Sequence, residues 1–345
     1  MRYTFPSLAA LRDLPFDTVI DVRSPSEFAE DHMPGAINLP VLNDVERARI
    51  GTMYVQESPF KARKIGAALV ARNAARHLEQ SLLDKEGGWK PLVYCWRGGQ
   101  RSGSFTTILR QVGWRAEVVE GGYKAYRKRV QQALYEAEFA PKVVLLDGNT
   151  GTAKTDILVA LAKRGVQVID LEGLANHRGS LFGARPGGQP SQKAFESALA
   201  VVVAGLDAGR PVVVEAESSK IGRLVVPPKL WAAMRAARRL EIRAPLAARA
   251  QYLATAYADI IEDRERLSDV LEKLRTYHGA EVIARWHGLA EAGEMEALAA
   301  ALMAEHYDSR YGKARAEKSD ITALEVTGLE ASDIDAVAAR IAAQL

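Results

Sequence analysis

A single cysteine, Cys95, in a chain of 345 residues excludes an intrachain disulfide, a pair of resolving thiols and any multi-cysteine zinc or iron–sulfur centre. Any sulfur or redox chemistry must therefore run through one thiol. No apolar run is long enough to cross a bilayer, and the first residues are broken at Pro6, Arg12 and Asp13 before a signal-peptide core forms, so a cytoplasmic protein with no membrane partner is expected. The charge excess is small, at +3, so nucleic-acid binding would have to show in where basic residues cluster. What the chain does have is length, with 48% hydrophobic and 26% charged residues, enough for two ordinary globular domains.

Short apolar runs alternate with helical patterns in the first part: residues 17–23, 64–83, 91–96, 104–113 and 116–122. Strands alternating with helices argue for a parallel sheet covered on both faces. A helix is expected over 123–140, Pro141 interrupts it, and the strand KVVLLD opens a second series. The expected domains are therefore 1–135 and 136–345. The second series continues through 166–173 and 211–218, then turns mainly helical from Pro228 to Met303, with 240–245 as one further strand. The Gly/Pro loop 184–192 is expected to lie over a site and not to link domains.

Cys95 ends an apolar strand and is followed by WRGGQRS and a helix, which puts a thiol at the carboxyl edge of a parallel sheet. Gly98 and Gly99 permit an anion-binding nest of backbone N–H groups, and the helix adds its positive end. With Arg97 and Arg101 nearby, the thiolate is favoured and Cys95 becomes a candidate nucleophile. Together with Asp21, Arg23, Glu27, His32, Pro34, Gly35, Ala36 and Asn38 upstream, this domain resembles the rhodaneses, sulfurtransferases that carry a persulfide on the loop cysteine. Five residues separate Cys95 from Arg101, where common rhodaneses have four. The wider loop is also similar to a dual-specificity phosphatase pocket, so phosphatase or arsenate chemistry stays open at this point.

The run from Lys142 to Leu158 reads strand, Gly-rich loop, helix, the context of a phosphate-binding P-loop. Gly148, Asn149, Thr150, Gly151 and Thr152 would cradle a diphosphate with their amides, Lys154 would neutralise it, and Thr155 would meet phosphate or Mg²⁺. Ala153 stands where the pattern has glycine, and it fits if its backbone is helical. Glu215 and Glu217 end the next strand but one, in the position of a magnesium carboxylate. Asp170, His177 and Arg178 are further candidates for contacting an anionic substrate from the same sheet edge. Basic residues interleaved with tyrosines over 123–129, 234–243 and 306–315 suit contact with a folded RNA.

A rhodanese-like domain followed by a variant P-loop domain resembles the bacterial tRNA 2-selenouridine synthase family. The resemblance runs through residues 43–54, the CWRGGQRS loop, EGGYKAYR, the P-loop, NHRGSLFG, ESSKIG and HYDSRY. The fold it implies is an N-terminal rhodanese-like parallel-sheet domain and a P-loop NTPase-like α/β domain with a helical C-terminal portion. The implied activity is a transferase converting wobble 2-thiouridine in tRNA to 2-selenouridine. Selenophosphate, supplied by its synthase, and geranyl diphosphate are the implied co-substrates, with no tightly bound cofactor and no metal ligand assigned, though the P-loop leaves room for Mg²⁺. On that resemblance the P-loop holds geranyl diphosphate, and Cys95 carries selenium as a perselenide or receives the released thiol. A P-loop phosphotransferase or NTPase, and a tRNA-binding persulfide carrier, are the alternatives. The sequence assigns no oligomeric state.

Overall fold

The computed structural model describes residues 1–308 and 320–345. The chain divides into two compact units, Met1–Glu138 with Pro190–Gly205, and Phe139–Gln189 with Leu206–Leu345.

The first unit is built on five strands, β1 (Arg2–Tyr3), β2 (Thr18–Asp21), β3 (Ala36–Asn38), β4 (Pro91–Tyr94) and β5 (Glu117–Val119). They lie in the order β1-β5-β4-β2-β3, and every pairing is parallel. Helices α1 (Pro25–Glu30), α2 (Asp44–Gln56), α3 (Pro59–Gln80), α4 (Gln100–Val112) and α5 (Gly122–Gln131) supply the crossovers. Local chemistry fixes where they start: Ser24 and Glu27 form a capping box ahead of α1, with Pro25 at its first position, and Ser58 with Pro59 opens α3. The core between sheet and helices holds Ile20, Val22, Val93, Phe105, Leu109 and Cys95 itself.

The second unit has β6 (Val143–Gly148), α6 (Lys154–Lys163), β7 (Gln167–Ile169) and α7 (Leu171–Ala175). The chain then supplies α8 (Gln192–Ala204) to the first unit and returns for β8 (Val212–Glu215), the short antiparallel pair β9 (Lys220–Ile221) and β10 (Leu224–Val225), α9 (Pro228–Ala236) and β11 (Arg238–Arg243). The main sheet is again wholly parallel, in the order β12-β11-β6-β8-β7, where β12 is Ile321–Glu325. β6 is flanked by β11 and β8, so the chain reverses its direction of travel across the sheet beside the loop after β6. That is where open α/β sheets bind ligands. Helices α10 (Leu246–Ala256), α11 (Ala258–Ile261), α12 (Arg264–Lys273), α13 (Ala280–Ala292) and α14 (Met295–Leu302) form the helical portion around the buried Trp286. Among the described residues no helix is long and apolar enough to cross a membrane.

Two features differ from the sequence reading. The Gly/Pro loop 184–192 does line a cavity through Arg185, but it also hands the chain from one unit to the other at Gln189–Pro190, so it links units as well. The helix it leads into, α8, groups with the first unit because its polar face is matched there. Ser197 donates to Asp31 at 2.8 Å, Glu196 pairs with Arg127, and Lys193 meets Glu30 at 2.5 Å.

Candidate functional sites

The Cys95 loop leaves β4 and enters α4 within five residues. Such tight reversal needs glycine: Gly98 has φ +64°, and a β-carbon there would lie 2.5 Å from the Val119 carbonyl oxygen. Gly122, at φ +59°, passes so close that a β-carbon would stand 2.3 Å from the Cys95 carbonyl oxygen. That carbonyl accepts from the Tyr123 N–H at 2.9 Å, tying the loop to α5. The thiol is 4% exposed, with Sγ 3.2 Å from the Ser102 hydroxyl. Arg97 is exposed, whereas Arg101 donates to Glu27 at 2.7 Å. That bond, after allowing for burial, holds the Glu27 carboxyl below its usual range.

Beneath the loop, Arg23 is clamped on Asp21, with Nη2 at 2.6 Å from Oδ2, and its guanidinium stacks 3.9 Å from the Tyr123 ring centre. Tyr123 in turn donates to Asp31 at 2.7 Å. Burial raises the Asp31 carboxyl despite the opposing bonds from Tyr123 and Ser197. The residues of the upstream element are thus the scaffold that fixes the loop.

In the second unit the loop after β6 wraps toward Lys154, the first residue of α6. Thr152 closes it by donating to the Asn149 carbonyl at 2.8 Å. Ala153 is not in a right-handed helical conformation; it adopts φ +54°, ψ +31°, the left-handed region that the usual glycine provides freely. The loop geometry has been kept at the cost of local strain. Lys154 Nζ donates to the Gly148 carbonyl at 3.2 Å, and the Thr155 hydroxyl lies 3.3 Å from Glu172. The loop faces a polar cavity of about 320 Å³ lined by Thr150 to Asp156, with Glu172, Arg178, Arg185, Glu217, Tyr252 and Tyr257 across from it.

Of the candidates here, Arg178 and Glu217 join the P-loop residues in that cavity. Asp170 and His177 are not among its lining residues. Asp170 caps α7, accepting from the Gly173 N–H at 2.7 Å, and His177 accepts from the Gly179 N–H at 3.1 Å. Burial, then the charges of Arg185 and Arg178, lowers the His177 pKa. Glu215 is fully buried and accepts from the Glu172 N–H; burial and the carboxylates of Glu172 and Asp170 raise its pKa well above the usual carboxylate range. Burial and Glu172 push Glu217 up to about 8, with Lys154 opposing. Among the described residues, no group of three or more His, Cys, Asp or Glu is arranged to hold a metal ion.

Two bracing residues escaped the sequence reading. Arg249 on α10, 5% exposed, donates to the Thr150 carbonyl at 2.9 Å and pairs with Asp308 at 2.7 Å. Arg239 pairs with Asp147 at the end of β6. Both stand far from the loop in sequence and belong to no motif.

Part of the first two basic runs is paired within the protein, while Lys124 and Lys128 are exposed. Tyr123 and Tyr126 are buried, Arg127 pairs with Glu196, and Arg129 donates to the Pro6 carbonyl. In the second run Arg238, Arg239 and Arg243 meet Gln344, Asp147 and Glu241. In the third, His306 is buried and residues 309–315 lie outside the described residues.

A family model described as the tRNA 2-selenouridine synthase AAA domain matches residues 141–339, and a rhodanese-like domain model matches residues 5–129. The tRNA 2-selenouridine synthase of Alcanivorax borkumensis is 39% identical over 247 residues, covering 70% of this chain and 66% of that protein. That of Chromohalobacter salexigens is 34% identical over 349 residues, 94% of each chain. Among solved structures, a rhodanese-related protein of Thermoplasma volcanium is 21% identical with a TM-score of 0.23, covering 36% of this chain and 92% of that one. Likeness to a synthase from end to end, together with a separate domain match for each unit, leaves one conclusion: the chain belongs to the tRNA 2-selenouridine synthase family.

Proposed function

We propose that this chain converts 2-thiouridine in tRNA to 2-selenouridine in two transfers, one at each loop. In the first, the thiouridine sulfur attacks C1 of geranyl diphosphate. The new S–C bond forms as the C–O bond breaks, and the electron pair leaves with diphosphate. Lys154 and the N–H groups of the loop before α6 would take up that charge. In the second, the selenium of selenophosphate adds to C2 of the base as the C–S bond breaks and the S-geranyl group departs as the thiol, and water then cleaves the P–Se bond, releasing inorganic phosphate and leaving selenouridine. The Cys95 loop, with its positive-φ glycine and the N-terminus of α4, is assigned to the selenophosphate anion.

Electron balance narrows the role of Cys95. A perselenide made from a thiolate and selenophosphate joins two fully reduced chalcogens, as does a disulfide with the released thiol. Each needs an oxidant. Direct attack of selenium on C2 needs none, and Cys95 then serves as a group of the selenophosphate pocket.

The observation that carries the reading is the P-loop, whose lysine opens on a polar cavity lined by Thr150 to Asp156. It is tested by incubating the protein with 2-thiouridine tRNA and geranyl diphosphate, with and without selenophosphate, and identifying the nucleosides by mass spectrometry. Geranylated thiouridine without selenophosphate, replaced by selenouridine when it is added, is the expected result. Unchanged thiouridine in both arms refutes it.

A further inference from the structure

The Gly/Pro loop 184–192 brings one more charge to the P-loop cavity, the half-buried Arg185. Its backbone is held on both sides. Before it, Ala184 is bridged to His177, and the Ala184 carbonyl accepts from the Arg266 guanidinium. After it, Pro186 and Gly187 make a tight turn, with Gly187 at φ +84° and the Gly188 N–H donating to the Arg185 carbonyl at 3.2 Å. The Asn176 side-chain amide spans that turn, donating to the Pro186 and Gly188 carbonyls at 2.9 Å each. Fixing a surface loop this closely costs chain entropy, and what it gains is one side chain in a set place.

The other charged groups that line the cavity are already engaged. Lys154 donates to the Gly148 carbonyl, and Arg178 pairs with Asp259 at 2.8 Å while stacking 4.6 Å from the Tyr257 ring centre. Asp156 accepts from the Tyr252 hydroxyl at 2.8 Å, Glu172 faces the Thr155 hydroxyl, and Glu217 is hydrogen-bonded to Glu172. Among the described residues no side-chain hydrogen bond, ion pair or ring contact engages the Arg185 guanidinium. A guanidinium drawn half out of water, in a cavity whose carboxylates are spoken for, is short of an anion. Its planar fork matches two oxygens of one phosphate group. The amides before α6 and Lys154 suit one phosphate, so a further cation on a separate, anchored turn suits a second.

We propose that Arg185 binds the second phosphate of the anion seated in the P-loop, so that the cavity takes diphosphates in preference to monophosphates. The proposal rests on the transfer reading above for the identity of that anion. What it adds is the residue that tells a diphosphate from a phosphate.

The test is calorimetric binding of inorganic phosphate and inorganic diphosphate to the full chain. The wild type is expected to bind diphosphate about a hundredfold more tightly than phosphate. Arg185→Ala should lower that ratio to about fivefold, weakening diphosphate about twentyfold and leaving phosphate unchanged. Arg185→Lys, which keeps the charge and loses the fork, should fall between the two, about fivefold weaker for diphosphate than the wild type. Unchanged phosphate affinity shows that both variants have folded. Equal affinity of the wild type for the two probes, or a ratio that Arg185→Ala leaves in place, overturns the proposal. So does an equal loss for both probes, which marks a general weakening of the site, or an Arg185→Lys variant no better than Arg185→Ala.

Mass spectrometry of nucleosides from 2-thiouridine tRNA separates this failure from that of the transfer reading. A diphosphate preference that falls in Arg185→Ala, with no geranylated nucleoside formed by the wild type, refutes the transfer and keeps the role of Arg185. Geranylation by the wild type, with a ratio that Arg185→Ala does not move, refutes that role and keeps the transfer.

Discussion

The two loops, each at the carboxyl edge of a parallel sheet, hold their shapes with opposite tolerances. The Cys95 loop is hemmed in by backbone: β-carbons on Gly98 and Gly122 would meet carbonyl oxygens at 2.5 and 2.3 Å. A backbone atom cannot turn away as a side-chain end can, so these glycines are required. The P-loop holds its shape with Ala153 at a positive φ where glycine would be easier. It is braced from outside by Arg249 on the Thr150 carbonyl. One loop is fixed by space and the other by its supports, so the first should fail by unfolding and the second by losing ligand.

The largest effect should separate the loops chemically. If the proposed transfer holds, Lys154→Ala is expected to slow geranyl transfer about a thousandfold, while selenation of tRNA supplied already geranylated continues. Cys95→Ala should give the reverse pattern, with the geranylated nucleoside accumulating and little selenouridine formed. Mass spectrometry of the nucleosides reads both.

Next comes the steric contrast. Gly122→Ala forces a β-carbon onto the Cys95 carbonyl at positive φ, and a loss of about 3 kcal/mol in urea unfolding is expected. A smaller effect follows from Glu217. At pH 7 its carboxyl, with a pKa of about 8, is mostly protonated and tolerates an anion beside it; above pH 8 it ionises and repels one. Diphosphate affinity should therefore fall roughly tenfold between pH 7 and 9, and Glu217→Gln should remove the part of that fall due to this carboxyl. The smallest effect is at Ala153. Ala153→Gly relieves the left-handed strain but gains freedom in the unfolded chain, leaving a net stabilisation of about 0.5 kcal/mol in the same unfolding assay.

The inner strands of both sheets were legible in the sequence because buried parallel strands are short uninterrupted apolar runs, as in Val143–Leu146 and Val212–Val214, bounded by loop residues. Cys95 and the P-loop were legible for the same reason: each is a short segment whose spacing alone states its geometry. β1, β3 and β12 were passed over because each is an edge strand of five residues or fewer and carries little apolar signal. The backbone of Ala153 could not be read, because alanine prefers the right-handed region and only the pull of the surrounding loop puts it elsewhere. Tyrosines 123 and 126 misled, since in sequence a tyrosine between arginines looks the same on a surface as in a core. Arg249 and Arg239 act through tertiary placement, which no local pattern records.

The excursion of residues 190–205 bears on how the gene can be cut. A fragment ending at Glu138 would lack the helix whose Ser197 and Glu196 satisfy Asp31 and Arg127, leaving a buried carboxylate short of a donor. A fragment starting at Phe139 would carry that helix with its own partner surface gone. Neither half is a contiguous stretch of the gene, so a split enzyme would need its second piece to bring the helix back.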